Sequence, residues 1–316
     1  MEPHQLTAEI KQRARGLGFD LCGIASAEPS EQASFLRDWL ETGRHGEMAW
    51  LAKRYEERAD VRHYLRGARS VICCAMSYNV ELADPPAGEA SGRIARYALG
   101  EDYHEHLKAR LFALADWLRA AAGGETRVCV DTAPVLEREW ARRSGVGWQG
   151  KNTCTLDTGL GSYLLLGEII TTLDLPPDLP AVDRCGSCTR CIDACPTDAL
   201  LPYQIDATKC LSYWNIEFRG DISNDIAAAM GDRLFGCDIC QEVCPWNGKA
   251  PFATDPAVHP RFGSGTLDVR EVLDWTDEDY RQRLRGSAMK RVKLPQLKRN
   301  AAIVLNNLQA RAKQEG

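Results

Sequence analysis

Eight cysteines within residues 185–244 are spaced as ligands of iron–sulfur clusters. They form a C-x2-C-x2-C-x3-C-P run from residue 185, a C-x2-C-x3-C-P run from residue 237, and a single cysteine at 210. The first run has the bacterial ferredoxin spacing, in which three thiolates hold one cluster and the fourth ligates the other. The second run lacks one cysteine, which the cysteine at 210 replaces. The resulting allocation is Cys185, Cys188, Cys191 and Cys244 for one 4Fe–4S cluster and Cys195, Cys210, Cys237 and Cys240 for the other.

A zinc ribbon built from the C-x2-C pairs is the alternative interpretation. Zinc takes four ligands, and it explains neither the third cysteine at x2 spacing nor the two Cys-Pro pairs. The spacing therefore favours two electron-carrying clusters. It leaves the substrate open.

Asp131 is the candidate catalytic residue in the N-terminal half. The segment Asp131-Thr-Ala-Pro134 ends a predicted strand and begins a predicted helix that runs to about Arg143. A carboxylate at such a junction lies where open α/β sheets bind ligands. The simpler interpretation is that Asp131 or Thr132 only caps the helix.

The loop Gly145-Val-Gly-Trp-Gln-Gly150 matches G-x-G-x-x-G, but it follows a predicted helix rather than a strand. The dinucleotide fingerprint requires the opposite order, so a nicotinamide site is excluded here. A glycine-rich loop still allows a large ligand to approach the backbone closely.

Charge is unevenly distributed along the 316 residues. The net charge is −5, yet residues 281–299 contain eight basic residues and no acidic one. A basic end on an acidic protein indicates a local anionic partner, although a solvated helix face is the alternative. No apolar run approaches the ~20 residues of a membrane span, and the N-terminus does not resemble a signal peptide. We therefore expect a cytoplasmic protein with its remaining cysteines reduced, and a monomer.

The predicted elements alternate between helices and strands. Residues 6–17, 30–42 and 103–122 have helical spacing, and 70–78 is an apolar run expected to form a central strand buried on both faces. Beyond the cysteines, residues 268–284 and 294–314 are predicted to be helical. This pattern predicts an α+β or α/β fold.

Several motifs resemble the epoxyqueuosine reductase family, the cobalamin-dependent iron–sulfur enzymes of tRNA queuosine synthesis. These motifs span almost the whole chain and occur in the family's order. Besides the cysteine runs, they are Arg93-Ile-Ala-Arg-Tyr-Ala-Leu-Gly-Glu-Asp-Tyr-His104, Asp131-Thr-Ala-Pro-Val-Leu-Glu-Arg138, Gly147-Trp-Gln-Gly-Lys-Asn152, Cys210-Leu-Ser-Tyr-Trp-Asn-Ile-Glu217 and Gly286-Ser-Ala-Met-Lys-Arg291. The family often carries a further C-terminal helical-repeat segment, of which this sequence includes at most one helical pair.

The resemblance implies a nitroreductase-like cobalamin-binding domain in residues 1–175, a ferredoxin-like two-cluster domain in 176–250 and a basic helical segment in 251–316. It implies reduction of epoxyqueuosine to queuosine in the anticodon loop of tRNA, with electrons from a carrier such as flavodoxin or ferredoxin. A reductive dehalogenase-like enzyme and a bare two-cluster electron-transfer protein are the alternatives.

The resemblance also assigns candidate site residues. Asp131 is the implied proton donor, a role that requires a raised pKa, which burial against the corrin and anionic surroundings would provide. The implied cobalamin contacts are Arg54, Arg96, Tyr97, Asp131, Trp148, Lys151, Asn152, Thr155, Ser212, Asp238 and Ile239. The implied tRNA contacts are Asn215, Lys290, Arg291, Lys293, Lys298 and Arg299. Since the sequence has no D-x-H-x-x-G element, we expect no histidine below the cobalt, and His104 is expected to be a surface or hydrogen-bonding residue.

Overall fold

The computed structural model describes residues 2–86 and 88–315. Its helices are α1 Pro3–Gly16, α2 Ala33–Glu41, α3 Tyr55–Ala59, α4 Val61–Tyr64, α5 Tyr103–Ala122, α6 Glu137–Arg143, α7 Arg190–Asp193, α8 Asn224–Met230, α9 Ile239–Glu242, α10 Val269–Asp274, α11 Asp277–Arg283 and α12 Leu294–Glu315. Its strands are β1 Leu21–Ser26, β2 Ser70–Ser77, β3 Ser91–Ile94, β4 Thr126–Cys129, β5 Trp148–Gln149, β6 Thr155–Leu156, β7 Leu164–Thr171, β8 Leu200–Leu201, β9 Gln204–Ile205, β10 Arg233–Phe235 and β11 Thr266–Asp268. Single 3-10 turns and a five-residue π-helix at Tyr213–Glu217 connect them. None of the described helices is long and apolar enough to cross a membrane.

The principal sheet has four strands in the order β1-β2-β7-β4. All eight residues of β2 are buried, which confirms the predicted central strand covered on both faces. Every pairing in this sheet is antiparallel. The strand-end rule of open parallel sheets therefore does not explain the position of Asp131, contrary to the sequence-based argument.

Helices α5 and α6 cover this sheet. Helix α5 buries Leu107, Leu111, Leu114 and Leu118 completely, at spacings of four, three and four that place them on one face. The C-terminal end of α6 packs directly on β1, where a Cβ at Gly23 would lie 2.1 Å from the carbonyl oxygen of Ser144. Glycine at this position therefore fixes the depth of α6 on the sheet.

A second sheet, β10-β3-β11, draws strands from all three predicted parts of the chain. Strand β3 pairs in parallel with β10, which precedes the second cysteine run, and antiparallel with β11. The core is also continuous from Leu6 to Val304. The boundaries at residues 175 and 250 stay a prediction, but the parts pack as one body.

Two predicted helices differ in the structure. The helix after Asp131 begins at Glu137 rather than at Pro134, so residues 131–136 form a turn. The helix predicted over 268–284 is divided at Trp275, because Thr276 forms a capping box with Asp279 and starts α11.

Candidate active site and cluster cradles

The first cysteine set converges around one concavity. Its lining includes Cys185, Cys188, Cys191 and Cys244. Burial raises the pKa of Cys191 to about 11, with nearby Cys185 and Cys244 acting in the same direction. Within residues 2–86 and 88–315 no three Cys, His, Asp or Glu side chains converge as ligands of a single ion. Four thiols around a wider space fit a cluster of four irons and four sulfurs.

The second set is grouped in the same way. Burial raises the pKa of Cys237 to about 12, and Cys210 acts in the same direction. The pKa of Cys210 is also raised, chiefly by burial, and nearby Cys195 acts in the same direction. The backbone N–H of Ala199 donates to the Cys195 sulfur at 3.4 Å, and the backbone N–H groups of Ser212 and Ile239 lower the pKa of Cys210 and Cys237. Such N–H···S bonds stabilise the negative charge of a bound cluster, which supports the predicted allocation and gives Ser212 and Ile239 a role at the cluster.

The β5–β6 hairpin links both cradles. The Lys151 ammonium donates to the carbonyl oxygens of Gly186 (2.7 Å) and Cys188 (3.0 Å) in the first cysteine loop. The amide of Asn152 donates to the Cys240 carbonyl (3.4 Å), and its oxygen accepts from the N–H of Cys154 (3.1 Å). Both residues therefore hold the cluster loops in position.

Cys154 is a site residue that the spacing argument missed. A hydrogen bond with its thiol, together with burial, raises the pKa of the cluster ligand Cys240. No sequence pattern places residue 154 beside residue 240, because the contact depends on how the hairpin packs.

Asp131 accepts two side-chain hydrogen bonds. The His104 Nε2–H donates to Asp131 Oδ1 at 2.7 Å, and the Tyr103 hydroxyl donates to Asp131 Oδ2. The other ring nitrogen, Nδ1, donates to Asp102 Oδ1 at 2.7 Å. The Asp131 side chain is 42% exposed, so a substrate can reach it.

These hydrogen bonds shift the pKa of His104 and the pKa of Asp131 in opposite directions. Burial by itself lowers the pKa of His104, but the hydrogen bonds to Asp102 and Asp131 raise it to about 9. Burial opposes ionisation of Asp131, yet His104 and Tyr103 lower its pKa below the ordinary value. The expected raised pKa of Asp131 is therefore wrong: at neutral pH the carboxylate is ionised and the imidazole carries the proton.

Glu137, at the start of α6, is a second acidic group beside Asp131. Burial raises its pKa to about 8, and the charge of Asp131 acts in the same direction. At neutral pH Glu137 is therefore largely protonated. The region around Asp131 holds protons on both His104 and Glu137.

Several predicted cobalamin contacts are buried polar groups. The backbone N–H of Arg96 donates to Asp238 Oδ2 at 2.7 Å, and its Nη1 donates to the Tyr163 hydroxyl at 2.8 Å. Burial raises the pKa of Asp238 to about 6. Burial also raises the pKa of Tyr97, and the charges of Asp238 and Asp131 act in the same direction. The Tyr97 ring lies 6.0 Å from the ring of Tyr103, which donates to Asp131, and 6.1 Å from the ring of Phe235, which precedes the second cysteine run.

Unpartnered polar atoms provide a test of whether a large polar cofactor fits. Within the described residues, Trp148 Nε1, Thr155 Oγ1 and Arg96 Nε are buried without a hydrogen-bond partner, and so is Nη1 of Arg58. Such atoms are costly unless a ligand or water pairs with them. A corrin carries amide side chains able to pair with them, so the residues fit cobalamin. Arg54 differs, since its side chain is exposed and forms an ion pair with Glu57 at 2.9 Å.

The predicted tRNA contacts divide into exposed and structural residues. Asn215 is fully buried: its side-chain amide donates to the Gly236 carbonyl, and its side-chain oxygen accepts from the Gly236 N–H. It is therefore not available to RNA, and that part of the prediction is wrong. Arg299 donates to the carbonyl oxygens of Trp214, Phe218 and Gly220. The other four predicted contacts are exposed or half-exposed, and they are Lys290, Arg291, Lys293 and Lys298. Of these, Arg291 forms an ion pair with Glu217.

Comparison with known proteins gives consistent matches. The family model "Epoxyqueuosine reductase QueG" matches residues 58–132, and a 4Fe-4S double cluster binding domain matches 184–247. The epoxyqueuosine reductase of Gloeobacter violaceus is 44% identical over 94% of this chain and 95% of its own. A crystal structure of epoxyqueuosine reductase with an epoxyqueuosine-modified tRNA-Tyr stem loop has a TM-score of 0.90 at 29% identity, covering 97% of this chain and 82% of that chain. The Bacillus subtilis enzyme, with its catalytic aspartate loop swung out of the active site, has a TM-score of 0.89 at 28% identity over 97% and 82% of the two chains.

Proposed function

This chain belongs to the epoxyqueuosine reductase family, and we propose that it reduces epoxyqueuosine to queuosine in the anticodon loop of tRNA with Asp131 as the immediate proton donor. The observation that carries the proposal is the hydrogen-bonded set Asp131–His104–Tyr103 in a chain that also folds two cluster cradles. A two-cluster electron carrier has no use for a protonated imidazole held on a reachable carboxylate.

The reaction adds two electrons and two protons to the epoxide. Both C–O bonds of the epoxide break, the two carbons become an alkene, and the oxygen leaves as water. When bound, the clusters supply single electrons and cobalamin supplies a strongly reducing cobalt centre. The residues that would hold cobalamin are Arg58, Arg96, Tyr97, Trp148 and Thr155, and the eight cysteines of the two cradles would hold the clusters.

Proton delivery is the part that this chain's own residues perform. As negative charge develops on the epoxide oxygen, the proton held by His104 passes across the 2.7 Å bond to Asp131, and Asp131 delivers it to that oxygen. Burial raises the pKa of Tyr103, and the charge of Asp131 acts in the same direction, so the phenol keeps its proton. Tyr103 therefore orients the carboxylate.

Substitution of Asp131 tests this proposal. Anaerobically reconstituted Asp131→Asn protein should bind cobalamin and both clusters, as judged by absorption spectra and iron content, but should not convert epoxyqueuosine in a tRNA stem loop. Mass spectrometry of the digested nucleosides measures the product. Full activity in this variant would remove Asp131 from the mechanism.

The finer partner assignments belong to the same proposal. The electron donor is a low-potential one-electron carrier such as flavodoxin or ferredoxin, because each cluster accepts electrons singly. The protein acts as a monomer in the cytoplasm. Its thirteen cysteines are all free of disulfides, which suits a reducing compartment.

A further inference from the structure

Trp50 is exposed in a segment that contacts Tyr213, which follows the cluster ligand Cys210. Its side chain is 42% exposed, and each of the other seven tryptophans is less exposed. Tryptophan is an unusual residue to leave in water, because it has a large apolar surface. Exposed aromatic side chains on nucleic-acid-binding proteins commonly serve as stacking surfaces for bases.

The segment that carries Trp50 is held firmly in place. The Glu47 N–H donates to the hydroxyl of Tyr213 at 3.0 Å. Gly46 has φ 57° and lies so close to Tyr213 that a Cβ would come within 2.6 Å of the phenol. Tyr213 itself is buried in the π-helix that follows Cys210. The exposed tryptophan is therefore presented by a fixed backbone, which lowers the entropy lost when a partner binds.

Arg291 connects Trp50 to the active site. Its guanidinium lies 5.9 Å from the Trp50 ring centroid and forms two parallel bonds to the Glu217 carboxylate, at 2.8 and 2.7 Å. The bond to Glu217 raises the pKa of Arg291, and the charges of Asp131 and Tyr97 also act on it. Glu217 lies in the same π-helix as Tyr213, so one element holds both Arg291 and the segment that carries Trp50.

The charge around Arg291 suits a polyanion. Lys290 and Lys293, on either side of Arg291, are exposed and form no ion pair within the described part of the chain. Unpaired lysines next to an aromatic surface are the combination that binds single-stranded nucleic acid, with the cations contacting phosphates and the ring contacting a base.

We propose that Trp50, supported by Arg291, is a stacking platform for an anticodon-loop base adjacent to the modified nucleotide. This inference rests on the proposed function. An enzyme that acts on a base within RNA must draw that base out of its stack, which leaves the neighbouring base without one stacking partner. The indole of Trp50 replaces that partner while the epoxide reaches Asp131.

The test measures binding of an anticodon stem loop carrying epoxyqueuosine to the cofactor-loaded enzyme, by fluorescence anisotropy at several salt concentrations. Trp50→Ala should raise the Kd about 5- to 150-fold, the range expected for one lost base stack. Trp50→Phe should stay much closer to wild type. The matched control is Phe112→Ala, which removes a 51% exposed aromatic from the outer face of α5 and should leave the Kd unchanged.

The salt dependence separates stacking from charge. Trp50→Ala should leave the slope of log Kd against log salt unchanged, because no phosphate contact is lost. Lys293→Ala should reduce that slope by about 0.7. Wild-type affinity in Trp50→Ala, with tRNA binding intact, would overturn the platform alone. Failure of the wild-type enzyme to bind the stem loop at all would overturn the proposed function and the platform with it.

Discussion

Replacing His104 with glutamine should change the pH dependence of turnover. A simple loss of folded protein would not change that pH dependence. In the wild type the proton for the substrate is stored on His104, whose pKa is about 9. Nearly all molecules therefore hold this proton at pH 7.5, and the rate should be flat up to about pH 8.5 and fall above it. Glutamine can still donate a hydrogen bond to Asp131, but it stores no proton.

The size of the effect follows from the acid that remains. An aspartate with an ordinary pKa of ~3.9 is protonated in about one molecule in 4,000 at pH 7.5. If that acid alone supplies the proton, the single-turnover rate of His104→Gln should fall by on the order of 10³-fold at pH 7.5. It should then decrease tenfold for every further unit of pH, with no plateau in the neutral range.

The assay is single turnover of a pre-reduced enzyme with epoxyqueuosine stem loop between pH 5.5 and 10, with queuosine measured by mass spectrometry. Tyr103→Phe is the control, since it removes a donor to Asp131 but leaves His104 in place. Its rate should fall without loss of the plateau. A neutral plateau in His104→Gln with wild-type pH dependence would refute the argument that the imidazole stores the proton.

Two further predictions concern residues that hold the structure around the site. Lys151→Met removes the ammonium that donates to the carbonyl oxygens of Gly186 and Cys188. A chelator should then extract iron faster from the first cluster, while the rate of iron loss from the second cluster, followed by EPR, stays unchanged. Equal iron loss from both clusters would contradict this local role of Lys151. Arg299→Met leaves three carbonyl oxygens without their donor and should lower the free energy of unfolding by about 2–4 kcal/mol in urea titrations, whereas Lys298→Met should change it by less than about 0.5 kcal/mol. A stable Arg299→Met protein with weakened tRNA binding would instead favour the original assignment of Arg299 to RNA.

The elements with a strong periodic signal were predictable from the sequence. Helix α5 begins at Tyr103 and ends at Ala122 as its leucine spacing predicts, and β2 is buried throughout as its apolar run predicts. The ferredoxin spacing likewise predicts two clusters, and a 4Fe-4S double cluster binding domain matches residues 184–247; the allocation of the eight cysteines between the clusters stays a prediction. These patterns depend on residues that are close together in the sequence, so the way the chain packs does not alter the elements that they predict.

Features that depend on tertiary packing were not predictable in this way. The family resemblance implied that Asn215 contacts tRNA, yet Asn215 is buried because α12 packs over it and Asn300 donates to its carbonyl at 2.7 Å. The protonation of Asp131 was misjudged for a similar reason. Burial alone raises a carboxyl pKa, but the sequence does not show that residues 103 and 104 donate to residue 131.

The β5–β6 hairpin explains how electron transfer and proton delivery are brought to one place. Lys151 and Asn152 hydrogen-bond the two cluster loops. The Thr153 hydroxyl accepts from Arg138 at 3.2 Å, and Arg138 follows Glu137 at the start of α6, next to the Asp131 turn. Thr153 has φ 65°, a left-handed conformation that a β-branched residue adopts only when its surroundings impose it. The conformation is maintained because both neighbours, Asn152 and Cys154, contact Cys240 in the second cysteine run. The hairpin is therefore a direct link between the cluster loops and the turn that carries Asp131, in addition to the sheet β10-β3-β11 that joins the parts of the chain.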